Sequence, residues 1–289
     1  MKFLVPTLIC LANLLWTHAV LAGDVANAAK KGDVETLRTL LVEGAPVEEP
    51  GIASPLYFAS QSGHTDAVQL LLEHNANPNA VSRLGTPLMI ASRRKHAETV
   101  SLLLASGADP NLAGGEDERT PLHEAAYIGA ANVVTILLEN GADPLARTRF
   151  QEPPLHEAVK KERDDVVALL RARTRWTPPV PPTQSDISQA DMETGRIATL
   201  ECTGCHALEM GKAKEGPTLW AVVGRPQAGL EGYPYSDAMR SANGVWDVAT
   251  LDAFLSDPMM AVPGTRMDRA QVTDQTTRWA MIAYLNSLK

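Results

Sequence analysis

Cysteine is scarce in this sequence. Of the 289 residues only three are cysteine, at positions 10, 202 and 205. A chain with so few thiols is not one of the small disulfide-stabilised scaffolds, and its hydrophobic content of 45% is enough to build packed cores instead. The length gives room for two domains of ordinary size.

Aromatic and basic residues are also few. Aromatic residues make up 5% of the chain, and 26 Lys and Arg stand against 34 Asp and Glu, for a formal net charge of -8. Proteins that bind nucleic acid neutralise its phosphates with Lys and Arg. The charge balance therefore argues against a nucleic-acid partner.

A strongly apolar stretch at the N-terminus predicts export. In residues 1–22, Lys2 precedes a mostly apolar segment, and Ala22 provides a small residue before a cut ahead of Gly23. The segment is too short for a good membrane-spanning helix, so we expect no membrane span in the mature chain. Cleavage would remove Cys10, leave a single pair of thiols with no structural disulfide, and deliver the protein to the periplasm.

The remaining pair lies in Cys202-Thr203-Gly204-Cys205-His206. C-x-x-C-H is typical of c-type haem attachment, in which two thiols add across the haem vinyl groups and the adjacent imidazole ligates the iron. The alternatives are a redox Cys-x-x-Cys pair, half of a zinc site, or chance. A zinc site would need further cysteines, and a thioredoxin-type site a strand–helix context that this segment lacks. We predict one covalent haem c, attached at Cys202 and Cys205 and ligated by His206.

Residues 24–174 contain an internal repeat of about 33 residues. A Pro-Leu marker recurs at Ser54-Pro55-Leu56-Tyr57, Thr86-Pro87-Leu88-Met89, Thr120-Pro121-Leu122-His123 and Pro153-Pro154-Leu155-His156, and a turn follows in phase at Gly44-Ala45-Pro46, Asn75-Ala76-Asn77-Pro78, Gly107-Ala108-Asp109-Pro110 and Gly141-Ala142-Asp143-Pro144. Between the markers, apolar residues recur at helical spacing. The pattern resembles the ankyrin repeat, which implies a solenoid of about five helix pairs, the first and last incomplete.

The markers suit the ends of helices. Proline at the first turn loses no hydrogen bond, and glycine after the second helix ends it in the left-handed conformation. His123 and His156 suggest a metal site, but at this motif position we expect them to bond backbone between repeats. The resemblance implies a protein partner, bound through the concave face and the loop tips.

A proline-rich linker, residues 175–188, follows the repeats and should act as a semi-rigid spacer. The predicted domains are therefore a signal peptide at 1–22, an ankyrin-repeat domain at 23–174, this linker, and a second domain at 189–289.

The second domain resembles the small monohaem cytochromes c of the mitochondrial and bacterial c2 type. Helical patterning at Asp191–Glu201 and Asp274–Lys289 flanks it. The family motifs fall in order after the haem motif: Gly216-Pro217-Thr218-Leu219, Val223-Gly224-Arg225, Tyr233-Pro234-Tyr235-Ser236-Asp237-Ala238, Gly244-Val245-Trp246, Leu255-x-Asp257-Pro258, Pro263-Gly264-Thr265-Arg266-Met267 and Ile282-Ala283-Tyr284-Leu285. The two resemblances together imply an all-α fold, an ankyrin-repeat solenoid followed by a small helical cytochrome c domain.

The resemblance also implies roles for individual residues. The carbonyl of Pro217 would accept the second ring N–H of His206, and Met267, after the Pro263-Gly264-Thr265 turn, would be the second axial ligand. Three residues match positions that hydrogen-bond a buried haem propionate: Arg225, Tyr235 and Trp246. Four other methionines are rival ligands, but none follows such a turn: Met210, Met239, Met259 and Met260.

These features predict an exported c-type cytochrome that carries single electrons and is docked to a protein partner by its ankyrin repeats. The alternative is an ankyrin interaction or regulatory protein whose haem senses redox state or a gas. We expect no enzyme activity, because a peroxidase would require the methionine to dissociate easily. Residues 189–289 carry more acidic than basic side chains, which disfavours a redox partner that presents an acidic patch to the haem edge.

Overall fold

The computed structural model describes residues 23–48, 53–174, 176–267 and 271–289, so the predicted signal peptide and Cys10 lie outside the described residues. Within these ranges the chain forms helices, turns and isolated β-bridges but no strand, which confirms the all-α prediction. None of the helices in the described ranges has the length and apolar character needed to cross a membrane. The chain divides into two compact units. The first comprises the residues up to Phe150 together with Lys161–Arg173, and the second comprises Gln151–Lys160 and Thr174–Lys289.

The first unit is built from paired helices. They are α1 (23–31), α2 (Val34–Val42), α3 (Pro55–Ser62), α4 (Thr65–Glu73), α5 (Pro87–Arg93), α6 (Ala97–Ala105), α7 (Pro121–Ile128), α8 (Ala131–Glu139) and α10 (Asp164–Arg173). Helix α9 (Pro154–Lys160) precedes α10 in the chain but belongs to the second unit. Within each inner repeat the two helices pack as a hairpin, and equivalent helices of successive repeats stack, α3 on α5 on α7 and α4 on α6 on α8. The leucines of the Pro-Leu markers, Leu56, Leu88 and Leu122, are buried in this stack. A single pair could not bury its apolar face alone, so stacking provides the core.

The helix ends follow the markers as predicted. Proline is the first residue of α3, α5 and α7, and the preceding Ser54 and Thr86 accept hydrogen bonds from backbone N–H groups in the first turn at 3.2 and 3.1 Å. Gly107 and Gly141, after α6 and α8, have φ of 88° and 86°, a conformation that costs glycine little. Both predictions about helix ends are confirmed.

Asparagines in the loops join successive repeats. Asn79 Oδ1 accepts the N–H of Asp109 at 2.7 Å, and its Nδ2 donates to the carbonyl of Gly107 at 2.9 Å. Asn111 makes the same pair of bonds one repeat later. His123, which we expected between repeats, has Nδ1 3.1 Å from Thr120 N and 2.8 Å from Thr120 Oγ1 within its own repeat. Across the described residues no three His, Cys, Asp or Glu side chains form a group that could hold a metal ion.

The second unit is a small helical domain around its C-terminal helix. Its helices, besides α9, are α11 (Gln184–Gln189), α12 (Met192–Leu200), a 3-10 helix (Glu201–Gly204), α13 (Asp237–Ser241), α14 (Val248–Ser256), α15 (Pro258–Ala261) and α16 (Gln275–Ser287). Helix α16 packs against α11, α12 and α14, with Ile282 fully buried. The two helices predicted from the sequence are present as α12 and α16, each capped by the aspartate that precedes it. Of the predicted linker, residues 176–183 have no regular secondary structure, while α11 starts at Gln184 and buries Ile187 in the core.

Helices α12 and α16 cross at very short range. A Cβ placed on Gly195 would lie 2.5 Å from the carbonyl carbon of Ala280 and 3.1 Å from the backbone nitrogen of Met281. Such distances are well inside van der Waals contact, so only glycine permits this crossing. Helix α12 ends at Leu200, and the C-x-x-C-H motif begins two residues later, at Cys202.

Candidate haem site

The two thiols lie in and just after the 3-10 helix that continues α12. Cys202 is half-buried, Cys205 is exposed, and both are free. Burial, with the nearby charge of Glu201, raises the pKa of the Cys202 thiol. A redox Cys-x-x-Cys pair or a zinc site depends on the opposite shift, because the thiolate is the reactive and metal-binding form. The environment of Cys202 therefore favours the neutral form of its thiol.

The ring of His206 is held by the loop that follows it. Its Nδ1 lies 2.7 Å from the carbonyl oxygen of Pro217, the carbonyl that the family resemblance assigns to this ring. A carbonyl can only accept, so Nδ1 carries the proton and the lone pair of Nε2 remains available to a metal ion. A Cβ on Gly216 would lie 2.6 Å from Nδ1. A larger residue there would displace the ring, so Gly216 and Pro217 together set its orientation.

The loop itself is tied back to the haem motif by backbone hydrogen bonds. The N–H of Gly216 donates to the carbonyl of Cys205 at 2.7 Å, and the N–H of Leu219 donates to that of Ala207 at 2.8 Å. Lys214 Nζ adds a bond to the carbonyl of Thr203 at 2.5 Å. These bonds place Pro217 opposite the imidazole and restrict the motion of both.

Met267 lies at the edge of the hydrophobic cluster of the second unit. The turn before it has Gly264 at φ 90°, and the N–H of Met267 donates to Thr265 Oγ1 at 3.3 Å. The side chain is half-buried and packs against the cluster that contains Trp246 and Ile282. The rival methionines are placed differently: Met239, Met259 and Met260 are buried within α13 and α15, and Met210 is 75% exposed. Met267 is the methionine that follows a tight turn and lies at the edge of this cluster.

The three residues assigned to a propionate come from one neighbourhood. An isolated β-bridge between Pro226 and Val245 brings Arg225 beside Trp246. The backbone N–H of Trp246 donates to the backbone carbonyl of Arg225 at 2.9 Å. Arg225 donates through its terminal nitrogens to the carbonyls of Thr218, at 2.7 Å, and Trp220, at 3.3 Å. Trp246 is buried against Phe254, and Tyr235 packs on the same cluster. The structure thus brings them together, and their contact with a propionate stays a prediction.

Two buried N–H groups of this unit have no hydrogen-bond partner among the described residues: Arg225 Nε and Trp279 Nε1. An unpaired buried donor costs about 1–3 kcal/mol, so these groups suit a ligand that brings acceptors. Burial also lowers the pKa of the Arg225 guanidinium, because its charge loses solvation, and an anionic partner would compensate for that loss. With two free thiols, an imidazole with an available Nε2 and a thioether at the rim, the residues present fit a haem c.

Sequence reasoning did not single out Gly195 or the unpaired indole of Trp279. A glycine inside a helical pattern signals close packing, so Gly195 was detectable in principle. The indole gave no signal, since its lack of a partner among the described residues depends on tertiary packing.

Comparison with known proteins agrees with both halves of this description. The family model of ankyrin repeats, in three copies, matches residues 25–114 and 112–175. In its C-terminal part the chain is similar to proteins named cytochrome c or cytochrome c homolog. It is 42% identical over 85 residues to a cytochrome c homolog of Rickettsia felis, covering 29% of this chain and 49% of that protein. It is 36% identical over 109 residues to a cytochrome c homolog of Bradyrhizobium diazoefficiens, covering 37% and 59%.

Coverage differs among these relatives. The chain spans about half the length of the Rickettsia and Bradyrhizobium proteins. A cytochrome c2 of Rhodoplanes tepidamans is 35% identical over 97 residues, which are 33% of this chain and 91% of that cytochrome. The repeats thus cover about half of this chain, and the match to nearly the whole length of a small cytochrome covers a third of it. The chain therefore belongs to the ankyrin-repeat family over residues 25–175 and to the cytochrome c family in its C-terminal part.

Proposed function

We propose that the protein is a periplasmic one-electron carrier, not an enzyme, with a single haem c attached through Cys202 and Cys205. The observation that carries this proposal is the fixed imidazole of His206. Its Nδ1 is engaged by Pro217 at 2.7 Å, next to two free thiols at the spacing that haem attachment requires. The relatives named cytochrome c and cytochrome c2 support the same function.

Haem c supplies one-electron redox chemistry at its iron when it is bound. His206 and Met267 would both ligate the iron, and a haem held by two protein side chains suits electron transfer better than activation of a bound molecule. A thioether is a soft ligand and raises the reduction potential. The loop of residues 207–219 holds the side chain of His206, and the Pro263-Gly264-Thr265 turn precedes Met267. Little structural reorganisation should therefore accompany a change in the charge of the iron.

The ankyrin repeats would dock the carrier to a protein partner, since arrays of this kind serve protein recognition. Export through the segment at 1–22 would deliver the chain to the compartment where thiols and haem are joined. In this proposal the repeats of residues 23–174 select the partner, and the haem edge of residues 189–289 exchanges the electron.

Two measurements on mature full-length protein test the proposal. Covalent attachment predicts that the haem stays with the polypeptide after denaturation in acid acetone, and a colourless polypeptide would contradict it. Met267→Ala should abolish the sulfur-to-iron charge-transfer band of the oxidised protein and let carbon monoxide bind the reduced form readily. Met210→Ala, a change at an exposed methionine, should leave both properties as in the wild type.

The same measurements separate the carrier from the alternative function. A wild type that binds carbon monoxide as fast as Met267→Ala would show that methionine does not hold the site. The haem would then be accessible to gases, and the regulatory or sensing role would replace electron transfer as the preferred function.

A further inference from the structure

Helix α9 contacts the turn that presents Met267. Both belong to the second unit. The N–H of Gly264 donates to Nδ1 of His156 at 3.3 Å, between residues 108 positions apart. Because Nδ1 accepts, the ring proton is on Nε2, and that nitrogen lies 3.6 Å from Glu152 Oε1, a favourable orientation for a neutral imidazole. His156 is 4% exposed, so this bond is shielded from solvent.

Apolar contacts enclose the same turn. A Cβ on Gly264 would lie 2.6 Å from Val159 Cγ1 and 2.9 Å from Ala238 Cβ. Val159 lies one helical turn from His156 on α9, so the two side chains contact the turn from one face. The backbone of Gly264 is thus held by a hydrogen bond and by packing at the point where its φ is 90°.

The sequence of the last repeat explains why His156 makes this bond. In the preceding repeat the equivalent His123 bonds the N–H and the hydroxyl of Thr120. The residue in the place of Thr120 is Pro153, which has neither an N–H nor a hydroxyl. The exchange of threonine for proline removes both groups that engage the ring in the earlier repeat, and Gly264 supplies a donor instead.

We propose that His156 is a positioning residue for the second axial ligand. By holding the Gly264 amide it fixes the turn that precedes Met267, the side chain that would ligate the haem iron. A residue of the ankyrin motif would thus support the redox centre. This inference rests on the ligand role of Met267 proposed above. It assigns His156 no contact with the haem and no part in the electron transfer itself.

The test uses full-length holoprotein with His156→Ala, His156→Asn and His123→Ala. Asparagine can place Oδ1 near the position of Nδ1 and should restore the acceptor. His123→Ala is the matched control, because it removes a buried histidine at the same motif position that engages its own repeat. The readouts are amide hydrogen exchange at Gly264 and the urea concentration at which the sulfur-to-iron band disappears.

We expect His156→Ala to accelerate exchange at Gly264 by roughly five- to tenfold, the loss of one hydrogen bond, and to lower the urea midpoint of the band. His156→Asn should keep both near wild type, and His123→Ala should change neither. Unchanged exchange and band in His156→Ala would overturn the inference, as would equal effects from His123→Ala. If His156→Ala does not fold, His156→Gln decides, since its acceptor falls near Nε2 and should fail to protect Gly264 where asparagine succeeds. A wild type without the band would instead reject Met267 as a ligand.

Discussion

The crossing of α12 and α16 at Gly195 makes a quantitative prediction. Gly195→Ala adds one methyl group where the nearest backbone atoms of α16 include the carbonyl carbon of Ala280 at 2.5 Å. Carbon atoms in contact are normally about 3.5–4.0 Å apart, so the helices must separate by about 1 Å. The neighbour is backbone, which cannot rotate away as a side chain can. The cost therefore lies in the upper part of the range for overpacking, about 2–3 kcal/mol.

Helix propensity acts in the opposite direction. Alanine inside a helix is favoured over glycine by about 1 kcal/mol, which offsets part of the overlap. We expect Gly195→Ala to destabilise the second unit by a net of about 1–2 kcal/mol, or to lower its Tm by about 5–10 °C. Gly204→Ala is the control, because a Cβ there meets no atom within 4 Å, and it should change the stability by less than about 0.5 kcal/mol.

Tryptophan fluorescence measures this effect selectively. Of the five tryptophans, Trp16 lies in the predicted signal and the other four lie within residues 174–289, so fluorescence follows unfolding of the second unit. Far-UV circular dichroism follows both units. If Gly195→Ala unfolds at the same temperature as Gly204→Ala or above it, the two helices do not cross as closely as described.

Three further outcomes are expected. Hydrogen bonds from Thr276 and Thr277 lower the pKa of Asp274 from 3.8 to about 2, so the charge of this cap stabilises the fold fully above pH about 4 and less as the pH falls toward 2; the difference in urea midpoint between wild type and Asp274→Asn should vanish across that window, and a constant difference would contradict it. In the wild type Arg278 Nε donates to the fully buried Asp252 Oδ1 at 2.8 Å. Arg278→Leu leaves this carboxylate without its cation and should lower the free energy of unfolding by about 3–5 kcal/mol; the double variant with Asp252→Leu should recover part of that loss in the same unfolding assay. Asn111→Ala removes two bonds between repeats and should lower stability by about 1–2 kcal/mol, whereas Asn140→Ala, which loses a bond within its own helix, should have a smaller effect by circular dichroism.

Sequence alone determined the features of this protein that depend on a repeat or on residues a few positions apart. The repeat of about 33 residues specified the helix pairs, because each Pro-Leu marker starts a helix and each glycine after the second helix ends one. The caps of α12 and α16 were predictable since an N-cap bond joins residues two or three positions apart. The spacing of Cys202, Cys205 and His206 indicated the haem site for the same reason. The signal peptide, the domain boundaries and the ligand role of Met267 stay predictions.

Only the tertiary structure decided the contacts between distant residues. Three such findings depend on how several helices pack at once: Gly195 meets Ala280, His156 accepts from Gly264, and the indole of Trp279 has no partner among the described residues. Helix α11 combines both kinds of contact: a local capping box between Thr183 and Asp186 marks its start at Gln184, and burial of Ile187 in the core stabilises a helix too short to persist alone. Such contacts arise from the summed packing of elements far apart in the chain, and no local pattern in the sequence encodes that sum.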